Sequence, residues 1–247
     1  LAIMVKLSFV VPAYNEEERI GKTLDIVADY LKKQGFSSEI LVVSGHSTDR
    51  TVEVAREKAA VIPELAVIDQ QANRGKGSAV AEGMLRAHGK IRLFTDADNS
   101  TDVSHFDKMR PFFDEGREVV IGSRHSWDAK EARQAVSQPL YKRILGQAGN
   151  LFIQLVAVRG IWDTQCGFKA FRADAAEKIF SRQRIFGWGF DVEALALARA
   201  LGYRIGIIPV YWVNDEASHV RLSTYFHVLW ETVKVRLNFV FNRYALS

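Results

Sequence analysis

The apolar positions of this chain fall alternately into short unbroken runs and into runs spaced by three or four. Residues 7–11 form a β-rich run closed by Pro12, and from Glu16 to Lys33 the positions Ile20, Leu24, Val27 and Leu31 recur at helical spacing. Residues 39–43 predict a second strand, after which Ser47, Thr48 and Asp49 supply capping groups for a helix through Val52, Ala55 and Ala59. Residues 65–68 and 91–95 read as further buried strands, separated by a glycine-punctuated helix over 78–88. A helical pattern over 103–113 then precedes a strand at 118–121. Such alternation predicts right-handed βαβ units and an α/β fold with a mostly parallel sheet flanked by helices.

Past Gly122 the pattern changes. Residues 125–137 are polar and without period, which predicts a mobile loop. Two amphipathic helices follow. One carries Tyr141, Ile144, Leu145, Ala148, Leu151, Phe152 and Leu155 on a single face; the other carries Leu222, Phe226, Leu229, Trp230, Val233, Leu237, Val240 and Phe241. Two readings stand for these faces: packing on the core, or lying in the plane of a membrane surface. Lys142, Arg143, Lys234, Arg236 and Arg243 accompany them, as the second reading requires.

Composition narrows the classes without choosing among them. The chain has 247 residues, 48% apolar and 25% charged, which excludes a disordered, collagenous or coiled-coil protein and fits one large α/β domain or two small ones. The single cysteine, Cys166, excludes a disulfide framework and a cysteine-based zinc site, and suits a reducing compartment. No run of about 18 apolar residues without charge is present, so no segment is expected to span a bilayer. Leu1 is an unusual first residue; either Met4 is the natural start or the chain has been trimmed. The 33 basic against 29 acidic residues leave a net charge of +4. That excess permits a phosphate-bearing or membrane-surface partner and makes no case for nucleic acid. Nothing in the pattern sets an oligomeric state.

Ligands of open α/β sheets bind beyond the carboxyl ends of the strands. Four polar clusters sit at such ends: Pro12-Ala13-Tyr14-Asn15-Glu16, Ser44-Gly45-His46-Ser47, Asn73-Arg74-Gly75-Lys76-Gly77 and Asp96-Ala97-Asp98. The third suits phosphate, because its glycines let backbone amides approach and Lys76 adds charge, although its spacing is not that of a Walker loop. In the fourth, two carboxylates directly after a buried strand suit one Mg2+ or Mn2+, an oxygen-seeking ion that also binds a diphosphate.

Taken in order, these residues resemble the family 2 inverting glycosyltransferases of the GT-A fold, which use sugar nucleotides. The likeness runs from Val10-Val11-Pro12-Ala13-Tyr14-Asn15-Glu16 through Asp96-Ala97-Asp98. Gly122-Ser123-Arg124, Asp163-Thr164-Gln165-Cys166-Gly167-Phe168-Lys169 and Trp188-Gly189-Phe190-Asp191-Val192-Glu193 narrow it to the dolichyl-phosphate β-glucosyltransferase branch, with dolichyl-phosphate mannosyltransferases as cousins. The resemblance implies transfer of glucose from UDP-glucose to dolichyl or another polyprenyl phosphate, with inversion and with Mg2+ or Mn2+, on the cytoplasmic face of a membrane. It further implies a catalytic domain over 1–215, with a nucleotide-binding half to about 122 and an acceptor half after it, and membrane-associating helices over 216–247. In the same terms, Pro12, Tyr14, Glu16, Ser44, Arg74, Lys76, Gly77, Asp96 and Gln165 hold the nucleotide sugar, and Asp98 with Asp96 holds the metal. Asp96, Asp98, Arg124 and Asp191 are the expected catalytic groups, while Trp188 and Glu193 lie around the sugar and acceptor. Arg124, Arg133, Ser218, His219 and Arg221 receive the acceptor phosphate.

The sequence also departs from the family pattern. The family writes V-D-D-G-S-x-D after the second strand, where an acid reads the uracil ring; here Ser44 and Gly45 replace both leading acids. His46 or backbone groups take over that reading, or the donor carries another base, as GDP-mannose would. Near the C-terminus a Gly-Ser-Lys-Leu stretch of the branch becomes Ala217-Ser218-His219-Val220, followed by Arg221. A lipid phosphate monoester is largely dianionic at neutral pH and needs no general base. Two other readings remain: transfer to a hydroxyl acceptor, with Asp191 as base, and a nucleotide-sugar binding protein without catalysis.

Overall fold

The computed structural model describes residues 6–134, 140–213 and 222–246. Seven strands form one sheet in the order β3-β2-β1-β4-β7-β5-β8: β1 Leu7–Ala13, β2 Ser38–Ser44, β3 Leu65–Asp69, β4 Ile91–Thr95, β5 Val119–Ser123, β7 Phe168–Arg172 and β8 Ile205–Pro209. All neighbours are parallel except β7, which runs antiparallel between β4 and β5. Two short strands, β6 Arg133–Gln134 and β9 Tyr211–Trp212, pair separately. The expected α/β fold is therefore present.

Helices cover both faces. On one, α1 Ile20–Lys32, α2 Thr51–Ala59 and α4 Phe106–Asp114 pack Leu24, Val27, Ala55 and Phe106 on Phe9, Val11 and Ile40. On the other, α3 Lys76–Arg86, α6 Ala173–Phe180 and α7 Phe190–Ala200 pack Val80, Met84, Ile179 and Phe190 on Val10, Phe94 and Phe171. The strands between are buried on both faces, which is why they read as continuous apolar runs.

Several boundaries differ from the sequence reading. β1 runs through Pro12 to Ala13. Its pairing with β4 stops at Val10, so Pro12 has a strand on one side only, where a missing N–H is tolerated. The first helix begins at Ile20, because the Glu16 carbonyl accepts from the Arg19 and Ile20 amides and closes a turn there. The third begins two residues early, at Lys76. The segment after β5 is not a featureless loop over its described part. Asp128 accepts from the Trp162 and Asp163 amides and the Ser123 hydroxyl, and Trp127 lies edge-on to Trp162 at 4.4 Å. These contacts come from 161–163, too far along the chain to leave a periodic signal.

Both amphipathic helices form, as α5 Leu140–Val156 and α8 Leu222–Val240, and they pack on each other. Of the apolar face of α8, Leu229 packs against the core, but most of the large side chains are turned outward. Phe226 is 72% exposed, Trp230 55%, Val240 62% and Phe241, just beyond the helix, 63%. Val228, Glu231, Thr232, Val235 and Asn238 are buried in their place. On α5, Leu151 and Leu155 are likewise exposed while Ile153 is buried. No helix among the described residues is long and apolar enough to cross a membrane.

Candidate active site

The loops after β1 and β2 are tied to each other. Asn15 and His46 both take left-handed backbone, with φ of 54° and 60°. The Asn15 side chain accepts from the Thr48 amide, Ser47 Oγ accepts from the Asn15 amide, and Thr51 Oγ1 accepts from the Glu16 amide. Asp49 accepts from the amides of Thr51 and Glu17, capping α2 and fastening the first loop in one group. Ser44 is buried and serves the turn, its Oγ accepting from the Ser47 amide; His46 is exposed. Tyr14 stands half-exposed at the rim, while Pro12 is buried in the strand and supports the pocket from behind.

At the end of β4 the carboxylates meet cations. Lys76 Nζ, at the start of α3, lies 2.5 Å from Asp96 Oδ1, and 5.5 Å from the Trp188 ring centre. Burial disfavours the Lys76 ammonium, but Asp96, Asp191 and Asp98 more than offset this and hold it above its ordinary pKa. Asp191, in the first turn of α7, is 4% exposed and pairs with Lys169 Nζ at 2.5 Å. Burial keeps the Asp191 carboxyl above the usual range despite Lys169 and Lys76. The result is an alternating row of Asp96, Lys76, Asp191 and Lys169, neutral in sum, that Asp98 and Glu16 flank. Burial also raises Glu16, against the pull of Arg19 at 2.6 Å and with a push from Asp98 and Asp96. Gly167 is indispensable to this packing: a Cβ there would stand 2.0 Å from Asp96 Oδ2.

The Asp98 segment suits a hard cation. Asp98 Oδ1 accepts from the Ser100 amide, while Asn99 Oδ1 and Ser100 Oγ are buried without a hydrogen-bond partner. No group of three His, Cys, Asp or Glu side chains capable of holding a metal occurs among the described residues. A site of this kind has carboxylate and carbonyl oxygens but needs further ligands from diphosphate and water, the usual manner of Mg2+.

The glycine-rich turn works differently from the open phosphate cradle that its composition suggests. Gly75 (φ 100°) and Gly77 are pressed against the 183–190 segment, where added Cβ atoms would meet Phe186 O at 2.4 Å and Phe190 Cβ at 2.6 Å. The Gly77 amide donates to Phe186 O and the Gly75 amide to Asn73 Oδ1, so neither is free for a ligand. The turn contributes its side chains: Lys76, and Arg74, whose guanidinium stacks on Phe186 at 4.7 Å. Gln165 Nε2 donates to Trp188 O, bringing those two expected residues together. Phe190 is core, whereas Trp188 is 43% exposed.

Arg124 is more fully paired than expected. Asp163 accepts from its Nε at 2.7 Å, its Nη2 at 2.8 Å and its amide at 2.8 Å, and the guanidinium stacks on Trp212 at 5.3 Å. Burial works against this cation, but Asp163 dominates and raises its pKa further, and Arg124 holds the Asp163 carboxyl well below the usual carboxylate range in return. Arg133 lies on β6 against Tyr211. Ser218, His219 and Arg221 lie outside the described residues. Glu193, expected around the sugar, is instead buried beneath the site. It accepts from the Arg184 and Ile185 amides and from the Tyr244 hydroxyl at 2.6 Å, and burial pushes its carboxyl up to about 7.

Three groups that organise this site have no role in the sequence reading, although Asp163 and Lys169 open and close one of its motifs. Asp163 holds Arg124 from 39 residues away, Lys169 holds Asp191 from 22, and Glu231 of α8 accepts from the Gly189 amide at 2.7 Å from 42. Glu231 fills the space over Gly187 and Gly189, where a Cβ would come within 2.4 and 2.7 Å of it. No local pattern in the sequence marks these pairings, which join positions 22 to 42 residues apart.

Known proteins resemble this chain in sequence and in fold. The sequence model of Glycosyl transferase family 2 matches residues 8–180. A dolichyl-phosphate beta-glucosyltransferase of Trichomonas vaginalis is 37% identical over 229 residues, covering 89% of this chain and 69% of that relative. The dolichyl-phosphate beta-glucosyltransferase of Homo sapiens is 35% identical over 228 residues, covering 86% and 69%. Among solved structures, glucosyl-3-phosphoglycerate synthase from Mycobacterium tuberculosis, in complex with Mn2+, uridine diphosphate and phosphoglyceric acid, superposes with a TM-score of 0.69 at 17% identity, covering 97% of this chain and 78% of that one.

Proposed function

The chain belongs to glycosyl transferase family 2, and from that membership we propose that it transfers glucose from a uridine nucleotide donor to dolichyl or another polyprenyl phosphate at a membrane surface. Glucose and the lipid acceptor come from what the named relatives transfer; the uridine nucleotide comes from the fold neighbour's ligand. One observation carries the acceptor: α8 turns its large apolar residues outward while Glu231, on its buried side, bonds directly to Gly189 beside Trp188. A helix lying in the headgroup layer on that face brings the site to the bilayer surface, where a polyprenyl phosphate presents its charged end. The cytoplasmic face is part of the same reading.

The roles follow from charge. Asp98, with Asp96 and the oxygens of Asn99 and Ser100, would hold Mg2+ or Mn2+, and such an ion supplies Lewis-acid stabilisation of the departing diphosphate. Lys76, fixed by Asp96 and shielded by Trp188, offers a second positive charge toward the donor phosphates. Tyr14, Glu16, Ser44 and Gln165 shape the nucleotide-sugar pocket, with Pro12 and Gly77 as its backing. Arg124, preset in direction by Asp163, receives the acceptor phosphate; Arg133, Ser218, His219 and Arg221 are assigned to the same task from the sequence alone. The acceptor dianion attacks the anomeric carbon from the side opposite the leaving group and inverts it. Asp191 supports this nucleophile over a hydroxyl: it is buried and engaged with Lys169, which suits a floor residue better than a base that must reach a proton.

The test is a panel of UDP-glucose, GDP-mannose and UDP-N-acetylglucosamine against one polyprenyl phosphate in detergent, read by product mass. Glucosyl-phosphoryl-polyprenol from UDP-glucose is the expected product. Transfer to a soluble hydroxyl with none to the lipid phosphate would overturn the acceptor assignment.

A further inference from the structure

At the C-terminal end of α8, a concavity of about 510 Å³ opens between the turn after α6 and the last residues of the chain. Arg182 and Arg184 line it from one side and Arg243 from the other, with Ser181, Gln183 and Tyr244 between; no carboxylate is in its wall. None of the three guanidinium groups forms an ion pair among the described residues. Each is oriented by a neutral acceptor instead: Arg182 Nη1 by Lys178 O at 3.0 Å, Arg184 Nε by Arg243 O at 2.8 Å, and Arg243 Nη1 by Asn238 Oδ1 at 3.4 Å. Arg182 Nε is buried and bonded to nothing. The nearby Glu193 carboxylate does not neutralise them by contact, since it takes two amides and the Tyr244 hydroxyl. Three forks with unspent N–H donors around one concavity fit an anion with several oxygens, a phosphate ester above all.

The surroundings say where that phosphate comes from. Arg243 stacks on Phe241 at 5.6 Å, and Phe241 with Val240 ends the exposed apolar face of α8. A cation folded back on an exposed aromatic at the end of an apolar helix face is the disposition of a side chain at the boundary between acyl chains and headgroups. We infer that the Arg182–Arg184–Arg243 concavity binds the headgroup phosphate of an anionic phospholipid, distinct from the acceptor lipid, and so fixes the depth and orientation of α8. This inference rests on the membrane reading above.

The test uses the full chain and sedimentation with vesicles of phosphatidylcholine alone or with added phosphatidylglycerol. The wild type binds both and binds the anionic vesicles more tightly. Arg182→Gln/Arg243→Gln loses that increment, weakening by roughly tenfold or more, while keeping its affinity for phosphatidylcholine. Arg243→Gln alone falls between. Lys22→Gln/Lys33→Gln, an equal loss of charge on the exposed side of α1 and beyond its end, keeps the increment. Equal losses in the two double variants would mean diffuse attraction and overturn the site. A wild type indifferent to phosphatidylglycerol but bound to phosphatidylcholine overturns the site alone; one that binds no vesicle overturns the membrane reading with it. Inorganic phosphate provides the other arm. A phosphate-dependent rise in Tm that Arg182→Gln/Arg243→Gln abolishes, without any preference for anionic vesicles, assigns the concavity to free phosphate and overturns the lipid source.

Discussion

At the carboxyl ends of β1, β2 and β4 the chain does what a soluble α/β protein does: apolar side chains go under the sheet and carboxylates gather at the rim. Along α8 it does the opposite. Glu231, Thr232 and Asn238 are buried and Phe226, Trp230, Val240 and Phe241 are not. Each large apolar side chain left in water forgoes roughly 1.5–3 kcal/mol. The difference lies in what each region leaves outside. The donor side buries its apolar groups and ties its polar groups to one another, leaving carboxylates at the rim for ligands; α8 is held to the body by Val228 and Val235 in the core and by the bond from the Gly189 amide to Glu231, leaving Phe226, Trp230, Val240 and Phe241 for something outside the chain.

The comparison can be broken from either side. The largest effect belongs to the rim. Asp98→Ala should lower glucosyl transfer by about three orders of magnitude with the circular dichroism unchanged; full turnover with Mg2+ or Mn2+ present would remove Asp98 from the machinery. Next comes the outer face. Phe226→Ser/Trp230→Ser/Phe241→Ser should weaken binding to phosphatidylcholine vesicles by roughly tenfold for each side chain withdrawn, with Tm unchanged or raised. A fall in Tm would mean that the face is covered within the protein.

A third experiment addresses the join between the regions. Burial raises the Glu193 carboxyl to about 7, so between about 4.5 and 7 the native state holds a proton that the unfolded chain has lost. Stability should therefore be highest below that window and fall as pH rises through it, by up to about 3 kcal/mol. Comparing Tm of the wild type and Glu193→Gln from pH 5 to 8 checks this; parallel curves would show that Glu193 is not the titrating group. The smallest effect is that of Glu231→Gln, which keeps an acceptor for the Gly189 amide but removes its charge, at about 1–2 kcal/mol. The donor KM should rise more than kcat falls, because Gly189 is next to Trp188; a lowered Tm with KM untouched would make Glu231 a packing group only.

Legibility in the sequence divides along the same line. Strands β2, β3 and β4 and the Asp96-Ala97-Asp98 corner were readable because their signals are local: an apolar run, then polar groups at its end. Lys76 was read as a phosphate ligand from composition, but its partner Asp96 is 20 residues away and its turn is closed by Phe186. Glu193 looked like a site residue because it follows Asp191 in a recognisable motif. Two positions along a helix turn the side chain well away from its neighbour, and Glu193 meets Tyr244 instead. The α8 face was legible as amphipathic, but which side faces the body depended on Glu231 finding a backbone amide, a fact that exists only in three dimensions.

The reversed strand β7 has a consequence for how the molecule comes together. β5, at 119–123, has no sheet partner among the strands made before it; it is bonded to β7 and to β8. A ribosome that has released β1 to β4 has released a set of mutually paired strands, whereas β5 must wait for roughly another fifty residues before β7 arrives to link it to β4. Contacts so distant along the chain form slowly. The molecule should thus assemble in two acts, with the acidic corner at Asp96 and Asp98 taking shape early and Gly167, which closes against it, arriving with the strand that completes the sheet.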